Sequence, residues 1–543
     1  MPVVHLWRRL QTLAKYPKDI LVAEIQRLAL FAPESLKKEL EPNSHAPVNR
    51  LPDDILSDIF FLGLLDAHAD DKSFEKPQRY QGLISLVCHR WKAIMEGTPL
   101  AWANITVLDR QPFTITKRFL RLSGNCLINI AIDWMTSPLE DEHVTLNIYN
   151  VNEMSCLFDL LWPEAHRWRS LFVAVQDHSL IHYVVQGLRS VAAPNLRILL
   201  LRNHDAGAQS LTTLEMAAKY KLFQSPPGAP LLRDVTLWGI HIDWSSPFLS
   251  SPLRKLDLCY HDIDVRPEPR RFFEILSSCS ETLQGLTIES SGPILEGDDQ
   301  HTLCVSSKIR LPNLLSLKVA FLSATTARRI LGIIVARNVK ELLLDFAKWN
   351  SPVHIWNDFI KEICTGGASS TEGMFPALTS LCLLSLPAHP IHLGALLFYH
   401  PRITTLIINF NYLDSGLLYT LGNPIPKIGL PPWADALWAT TLEQSQDKSR
   451  TGDQAVGENV RHKEWLCPEL RKLEVYGVGG GQLRLLVARR KEGGVPLKEV
   501  WYADTCTLGM PDRAWLNANL ENLKEFEDYE REPREDSEDD EDD

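Results

Sequence analysis

His389, His392 and His400 fall within twelve residues beside Pro387 and Pro390, and closely spaced imidazoles are the usual start of a zinc site. The arrangement stops short of one, because no H-E-x-x-H frames them and no acidic ligand sits at helical spacing. Carboxylates gather in the run EGDDQH from Glu296 to His301. The alternating ligands and closing glutamate of a calcium loop are missing, so a solvated turn is expected there. Nearer the C-terminus, LRKLEVYGV leads through Gly479, Gly480 and Gly481 into QLRLLVARR, the strand-glycine-helix order of a phosphate-binding loop. Neither G-x-G-x-x-G nor G-K-[ST] is present, and G-x-S-x-G is absent as well. The ten cysteines, Cys88 to Cys506, form no C-x-x-C pair, and none stands in a nucleophile context. These fragments assign no catalytic residue, no cofactor and no metal, so the sequence reads as a binding protein rather than an enzyme.

Charge narrows the partners. The net charge is −12, but Glu525 to Asp543 carry thirteen Asp or Glu against two Arg, which is −11, leaving the body near −1. Like charges this dense have nothing to bury, so residues 525–543 are expected to form a disordered, solubilising tail. Within it Ser537 precedes Glu538, Asp539 and Asp540, the context of an acidophilic kinase site. Without a basic excess in the body, no extended nucleic-acid footprint is expected. No apolar stretch approaches the twenty or so residues of a membrane span, and the richest runs only from Arg329 to Arg337. No signal-peptide core follows Arg8, Arg9, Lys15 and Lys18. The expectation is therefore no membrane partner and a cytoplasmic or nuclear protein; a mitochondrial presequence is the minor alternative, since the first eighteen residues lack acids.

The elements that organise the chain are repeats. The phrase apolar-x-x-apolar-x-apolar recurs twelve times between residues 127 and 502, among the copies WRSLFV at Trp168, LRILLL at Leu196, LRDVTL at Leu232, LRKLDL at Leu253, LRKLEV at Leu470 and LKEVWY at Leu497. A repeat that cannot bury its own apolar face must stack on its neighbours, which predicts an α/β solenoid over residues 109–524 with a disordered insertion near 440–462, inside a longer interruption at 411–466. Eight copies follow a proline within two residues, at Pro194, Pro230, Pro252, Pro312, Pro376, Pro401, Pro468 and Pro496, where proline is expected to begin the strand. Alternation points Leu199, Leu201, Val235, Leu237, Leu256, Leu258, Leu473 and Val475 inward. It leaves Arg202, Trp238, Lys255, Asp257, Glu289, Lys318, Asp345, Tyr476 and Trp501 on the other face. Arg202, Trp238, Asp345, Tyr476 and Trp501 are the candidates for contact with a bound protein, because aromatic and arginine side chains most often anchor interfaces; the alternative is that each aromatic is local core under an inserted loop.

Upstream, residues 1–45 read as a helical segment with no legible function. LPDDILSDIFFLGLL from Leu51 then starts a helix, with Pro52 in the first turn, Asp53 and Asp54 on the favourable end of the dipole, and one apolar stripe of Ile55, Leu56, Ile59, Phe60 and Leu64. A polar loop is expected from Asp66 to Gly82, then a second helix in LISLVCHRWKAIM. Leu51-Pro52, Ile55-Leu56 and Ile59-Phe60, followed by Leu86 to Trp91 and Thr98 to Trp102, look like an F-box, here spanning 46–108. RFLRLSGNCLINIAI from Arg118 and WPEAHRWRSLFV from Trp162 are also similar to the segments downstream of the F-box in proteins of mushroom-forming fungi. The L-x-x-L-x-L phrase resembles that of leucine-rich repeats, although the asparagine usual three residues after the last apolar position is replaced by His204, Ile240, His261 and Ser291. The combined resemblance implies an irregular horseshoe and the substrate-recognition subunit of a cullin-RING ubiquitin ligase. The F-box would dock on a Skp-type linker protein, and through it a cullin, with Leu51, Pro52, Ile55, Leu56, Ile59, Leu86, Val87, Cys88 and Trp91; the repeats would hold an unknown protein substrate. The alternative is a scaffold without ligase function, whose helices merely cap the solenoid.

Overall fold

The computed structural model describes residues 47–69, 77–135, 149–204, 220–294, 308–346, 352–365, 373–411, 413–425, 431, 433–434 and 465–527. The segment 1–45, the polar run 440–462 and the tail beyond residue 527 lie outside the described residues. Two compact units are present, Met1–Ala103 with Leu120–Gly124 and Asn104–Phe119 with Asn125–Asp543, so the boundary falls at 103/104 and not at 108/109.

In the first unit, α1 (Asp53–Ala69) begins with two acids in its first turn, as its dipole favours. Its apolar residues divide into two stripes. Leu56, Phe60 and Leu64, spaced by four, are buried and form the core, whereas Ile55, Ile59 and Leu62 stay exposed. Part of the expected polar loop is helical, because α2 (Pro77–Ser85) opens on a proline whose missing N–H costs nothing at a helix start. The expected second helix is broken at Leu86–Cys88, and α3 (His89–Glu96) restarts with Cys88 as its N-cap, the thiol accepting from Trp91 N at 3.5 Å. Trp91 packs on Phe60 with ring centroids 4.8 Å apart. Arg90 clamps the start of α3 to the start of α1, donating to Asp53 at 2.6 and 2.9 Å and to Leu51 O at 2.6 Å.

The second unit is built on one open sheet of fourteen parallel strands. The strands are β1 (Asn104–Thr106), β2 (Ile128–Trp134), β3 (Trp168–Val175), β4 (Ile198–Asn203), β5 (Asp234–Trp238), β6 (Lys255–Cys259), β7 (Gly285–Glu289), β9 (Ser316–Ala320), β11 (Glu341–Asp345), β12 (Ser380–Ser385), β13 (Thr405–Asn409), β14 (Lys472–Tyr476), β15 (Glu499–Ala503) and β16 (Asn522–Phe526). They lie side by side in chain order, and β8 (Ile309–Arg310) and β10 (Ile334–Val335) pair separately. All twelve phrases supply strands. Two further strands of the large sheet escape the twelve: β1, preceded by Trp102 and followed by Val107, and β16, where Glu525 replaces the last apolar residue. Glu525 and Phe526 thus belong to the sheet and not to the expected tail.

Register carries the repeat. Leu199, Val235, Leu256, Leu286, Leu317, Leu342, Leu381, Leu406, Leu473 and Val500 pair in one continuous line, and each is almost wholly buried. The leucines and valines expected to face inward are all fully buried. Helices occupy several returns between strands, among them α4 (Val151–Leu161), α5 (His178–Leu188), α6 (Pro269–Ser278), α7 (Ala324–Ile333), α8 (Val353–Thr365), α9 (Pro390–Tyr399), α10 (Gly416–Leu421), α11 (Gly480–Glu492) and α12 (Met510–Asn519).

The prolines act one step earlier than the sequence suggests. Leu196 N donates to Ala193 O, Leu232 to Ala229, Leu314 to Leu311, Leu378 to Phe375, Ile403 to His400 and Leu470 to Cys467, so Pro194, Pro230, Pro312, Pro376, Pro401 and Pro468 each occupy the second position of a tight turn before the strand. Their fixed φ suits that position. At the far ends of the strands, Gly239, Tyr260, Ser290, Phe321 and Gly477 all take positive φ, between 45° and 67°. The two glycines do so freely, whereas Tyr260 and Phe321 are held there against their side-chain sterics. Where the asparagine is missing, His261 and Ser291 replace it with their own buried bond, Nδ1 to Oγ at 2.7 Å.

The long interruption between β13 and β14 is stitched at its described ends by Arg490 of α11. This fully buried guanidinium donates to Leu421 O at 3.2 Å, Leu466 O at 3.1 Å and Cys467 O at 2.8 Å. Burial pushes its pKa down to about 10, which leaves it charged at neutral pH.

Candidate partner-binding surfaces

On the helical unit, the expected docking residues separate by burial. Pro52, Ile55, Ile59 and Leu86 are exposed, with Ile55 43%, Ile59 45% and Leu86 66% accessible. Leu51, Val87, Cys88 and Trp91 are half-buried. Leu56 is fully buried against the unit's own core and has no surface to offer a partner, so it leaves the docking set. Leu62 and Leu100, 63% and 55% accessible, are apolar surface that the sequence reading did not single out. Helical spacing gave the signal for Leu62, since it continues the stripe of Ile55 and Ile59 by three residues. Arg90 fixes the 86–91 segment to the start of α1, so Leu86 and the exposed α1 stripe belong to one braced unit.

The face of the sheet opposite the buried leucines carries two aromatic groups. In one, Arg202 lies 4.3 Å above the Trp238 ring, Trp238 stacks on Tyr260 at 4.5 Å, and Tyr260 approaches Phe321 at 6.1 Å. In the other, Trp501 has the ammonium of Lys472 at 3.3 Å and that of Lys524 at 4.5 Å, while Tyr476 meets Phe526 at 5.2 Å. Eight strand steps of roughly 4.8 Å separate Trp238 from Trp501, or about 38 Å along the sheet, so the candidates form two sites and not one. Tyr260 and Phe321 were missed because each follows the last strand residue in a left-handed turn, where alternation no longer assigns a face.

The acidic candidates are not displayed. Asp345 is buried, as are Asp257 and Glu289. Asp257 accepts from Thr236 Oγ1 at 2.8 Å and pairs with Lys255 at 2.7 Å; Glu289 pairs with Lys318 at 2.7 Å. Lysine partners on the open face help take Asp257 and Glu289 out of solvent, which strand alternation cannot register. Burial, then the nearby Glu289 and Asp257, push the Cys259 thiol far up, leaving it un-ionised at neutral pH.

The fragments with possible metal or phosphate chemistry disperse. His389 caps α9, accepting from Ile391 N at 3.3 Å, while His400 is buried with Nδ1 on Leu396 O at 2.7 Å. No cluster of three or more potential metal ligands exists among the described residues. At the Gly479–Gly481 turn, a Cβ on Gly480 would meet the Asp512 carboxylate at 2.7 Å, so an acid already stands at the helix start where a phosphate would sit. The run EGDDQH lies outside the described residues. No described helix is long and apolar enough to cross a membrane. A scan against protein-family models finds no match for this chain, and no curated protein matches it.

Proposed function

We propose that this chain is a non-enzymatic adaptor of the Skp-cullin-F-box type, whose helical unit docks on a Skp-type linker and whose repeat unit, read as a leucine-rich horseshoe, holds a protein destined for ubiquitination. The observation that carries the reading is the second apolar stripe of α1, Ile55, Ile59 and Leu62, left exposed on a helix whose first stripe already fills the core. A helix with an unused apolar face in a braced three-helix unit is suited to receive a partner helix. The docking set under this reading is Leu51, Pro52, Ile55, Ile59, Leu86, Val87, Cys88 and Trp91, joined by Leu62 and Leu100.

Co-precipitation with a purified Skp-type protein tests it. The wild type is expected to capture the linker, and Ile55→Ser with Ile59→Ser to abolish capture while the protease-resistance pattern of both units is retained. Absence of capture by the wild type removes the ligase reading.

A further inference from the structure

The second position of the repeated phrase is arginine in four consecutive repeats, those of β3 to β6: Arg169 inside β3, and Arg197, Arg233 and Arg254 immediately before β4, β5 and β6. Main-chain hydrogen bonds join them head to tail, Arg197 N to Arg169 O at 2.8 Å, Arg233 N to Arg197 O at 2.9 Å and Arg254 N to Arg233 O at 2.7 Å. With adjacent strands roughly 4.8 Å apart, the four rungs span about 14 Å. All four side chains are exposed. Arg254 grips Asp234 with a two-pronged bond, 3.1 and 2.7 Å, so a guanidinium at this edge already holds a carboxylate in the geometry it prefers. Arg169, Arg197 and Arg233 make no side-chain hydrogen bond or ion pair among the described residues.

Like charges placed opposite each other on neighbouring strands are destabilising. The same hydrogen-bonded line continues through Gln284, Leu315, Lys340, Thr379, Thr404, Arg471 and Lys498 to Glu521, where the last two rungs pair at 2.7 Å. Among the described residues, uncompensated charge on consecutive rungs occurs only at Arg169, Arg197 and Arg233; Lys340 and Arg471 stand singly beside neutral or paired rungs. At the same end of the sheet, a cleft of about 460 Å³ opens between the segments leading into β3 and β4, lined by Trp162, Pro163, His166, Gly187 and Ser190 among others.

We propose that the ladder of Arg169, Arg197, Arg233 and Arg254 is a docking strip for an acidic peptide segment of a partner protein, with the neighbouring cleft seating an apolar side chain of that peptide. An extended peptide advances about 3.3 Å per residue, so the strip matches some four residues, and planar guanidinium forks suit carboxylates. Four rungs on a body near −1 do not match the long phosphate track of a nucleic acid. The chain's own acidic tail leaves the sheet at β16, eleven strands from β3 and about 53 Å along it, which favours a partner in trans. As a statement of substrate class the proposal rests on the adaptor reading; as docking chemistry it needs only the repeat unit.

Fluorescence anisotropy of the full chain with a labelled Glu-rich peptide containing one leucine tests it. Binding is expected to weaken with salt and to fall at least ~10-fold in Arg169→Glu with Arg197→Glu and Arg233→Glu, with a smaller loss in the three Gln replacements and none in Arg471→Glu. Circular dichroism of each variant separates lost binding from lost folding, and the Gln set covers the case in which charge reversal unfolds the strip. Equal affinity in wild type and Gln variants, no binding by the wild type, tighter binding of a DNA duplex, or a gain in affinity on truncation after Glu527 each overturns the proposal. Skp capture by the same variants is expected to be unchanged, so failure of the ligase reading and failure of this one are read in separate assays.

Discussion

Neighbouring residues on α1 and neighbouring residues on a strand meet different fates. Leu56 and Phe60 are buried while Ile55 and Ile59, one position away, stay over 40% accessible. In β5, Val235 and Leu237 are buried and the residues between and beside them are not, but those are Asp234, Thr236 and Trp238, one acid, one hydroxyl and one anchored aromatic. A helix turns 100° per residue, so seven apolar positions between 55 and 64 cover more of its circumference than two short partner helices can hide. A strand has only two faces, and stacked neighbours cover one of them completely. Surplus apolar surface in the helical unit is therefore real surface, whereas the sheet compensates its open face with ion pairs and ring stacks. The docking proposed for the first region rests on what it leaves uncovered; that proposed for the second rests on which charges it leaves unpaired.

The largest effect expected in the sheet is at Arg490, which ties together the described ends of the long insertion between β13 and β14. Arg490→Met strands three main-chain carbonyls, and at about 1–3 kcal/mol for each unsatisfied buried group the loss is roughly 3–9 kcal/mol. Urea denaturation followed at the sheet is expected to show it, and a loss under about 1 kcal/mol would mean that water takes over the three acceptors and that the interruption is no weak point. In the helical unit, Leu56→Ala is expected to cost about 2–5 kcal/mol and Ile59→Ala under about 0.5 kcal/mol, although the two lie within one turn of the same helix. Hydrogen exchange of α1 and α3 reads the pair, and equal costs would abolish the two-stripe description.

A third prediction concerns acid. Burial lowers the pKa of His261 to about 3, aided by the charges of His241 and Arg266, and lowers that of His400 to about 4. Both folded values lie below the unfolded value near 6.5, so the unfolded chain binds more protons as pH falls. The stability is fully present above about pH 6.5 and declines from there toward pH 3–4, by at most about 1.4 kcal/mol per histidine per pH unit. The midpoint of urea unfolding of the sheet is expected to drop between pH 7 and pH 5, less steeply in His261→Asn. A midpoint that does not move over that range would mean that neither imidazole is held neutral.

How much of the fold and its surfaces was legible in the sequence depends on the same contrast. The inward leucines were readable because a period of two leaves no third option. Leu56 was misassigned because apolar spacing shows that a helix has a wide stripe but not which edge of it faces home. α2 was hidden by its composition, PQRYQGLIS, whose helix start is a proline in a polar run. The arginine ladder was in plain sight in WRSLFV, LRILLL, LRDVTL and LRKLDL, yet the spacings between copies vary, and only the register shows that these four rungs are adjacent in space. Tyr260 and Phe321 could not be read at all, since a positive φ at a bulky residue is imposed by packing and not by local preference.

The smallest effect sharpens the comparison most, because it tests whether a docking residue is there for its partner or for its own helix. Cys88 sits in the expected linker-binding segment, but its thiol caps α3 by accepting from Trp91 N at 3.5 Å, and sulfur is a weak acceptor. Serine is a stronger N-cap, so Cys88→Ser is expected to stabilise α3 by up to about 1 kcal/mol. If the residue's role is capping, capture of the Skp-type protein by Cys88→Ser stays at the wild-type level, and Cys88→Ala loses helix protection and capture together. If capture falls in Cys88→Ser while hydrogen exchange shows α3 more protected, the half-buried thiol is itself part of the docking surface, and the division between core and partner-facing residues runs through the N-terminus of α3 as well as along α1.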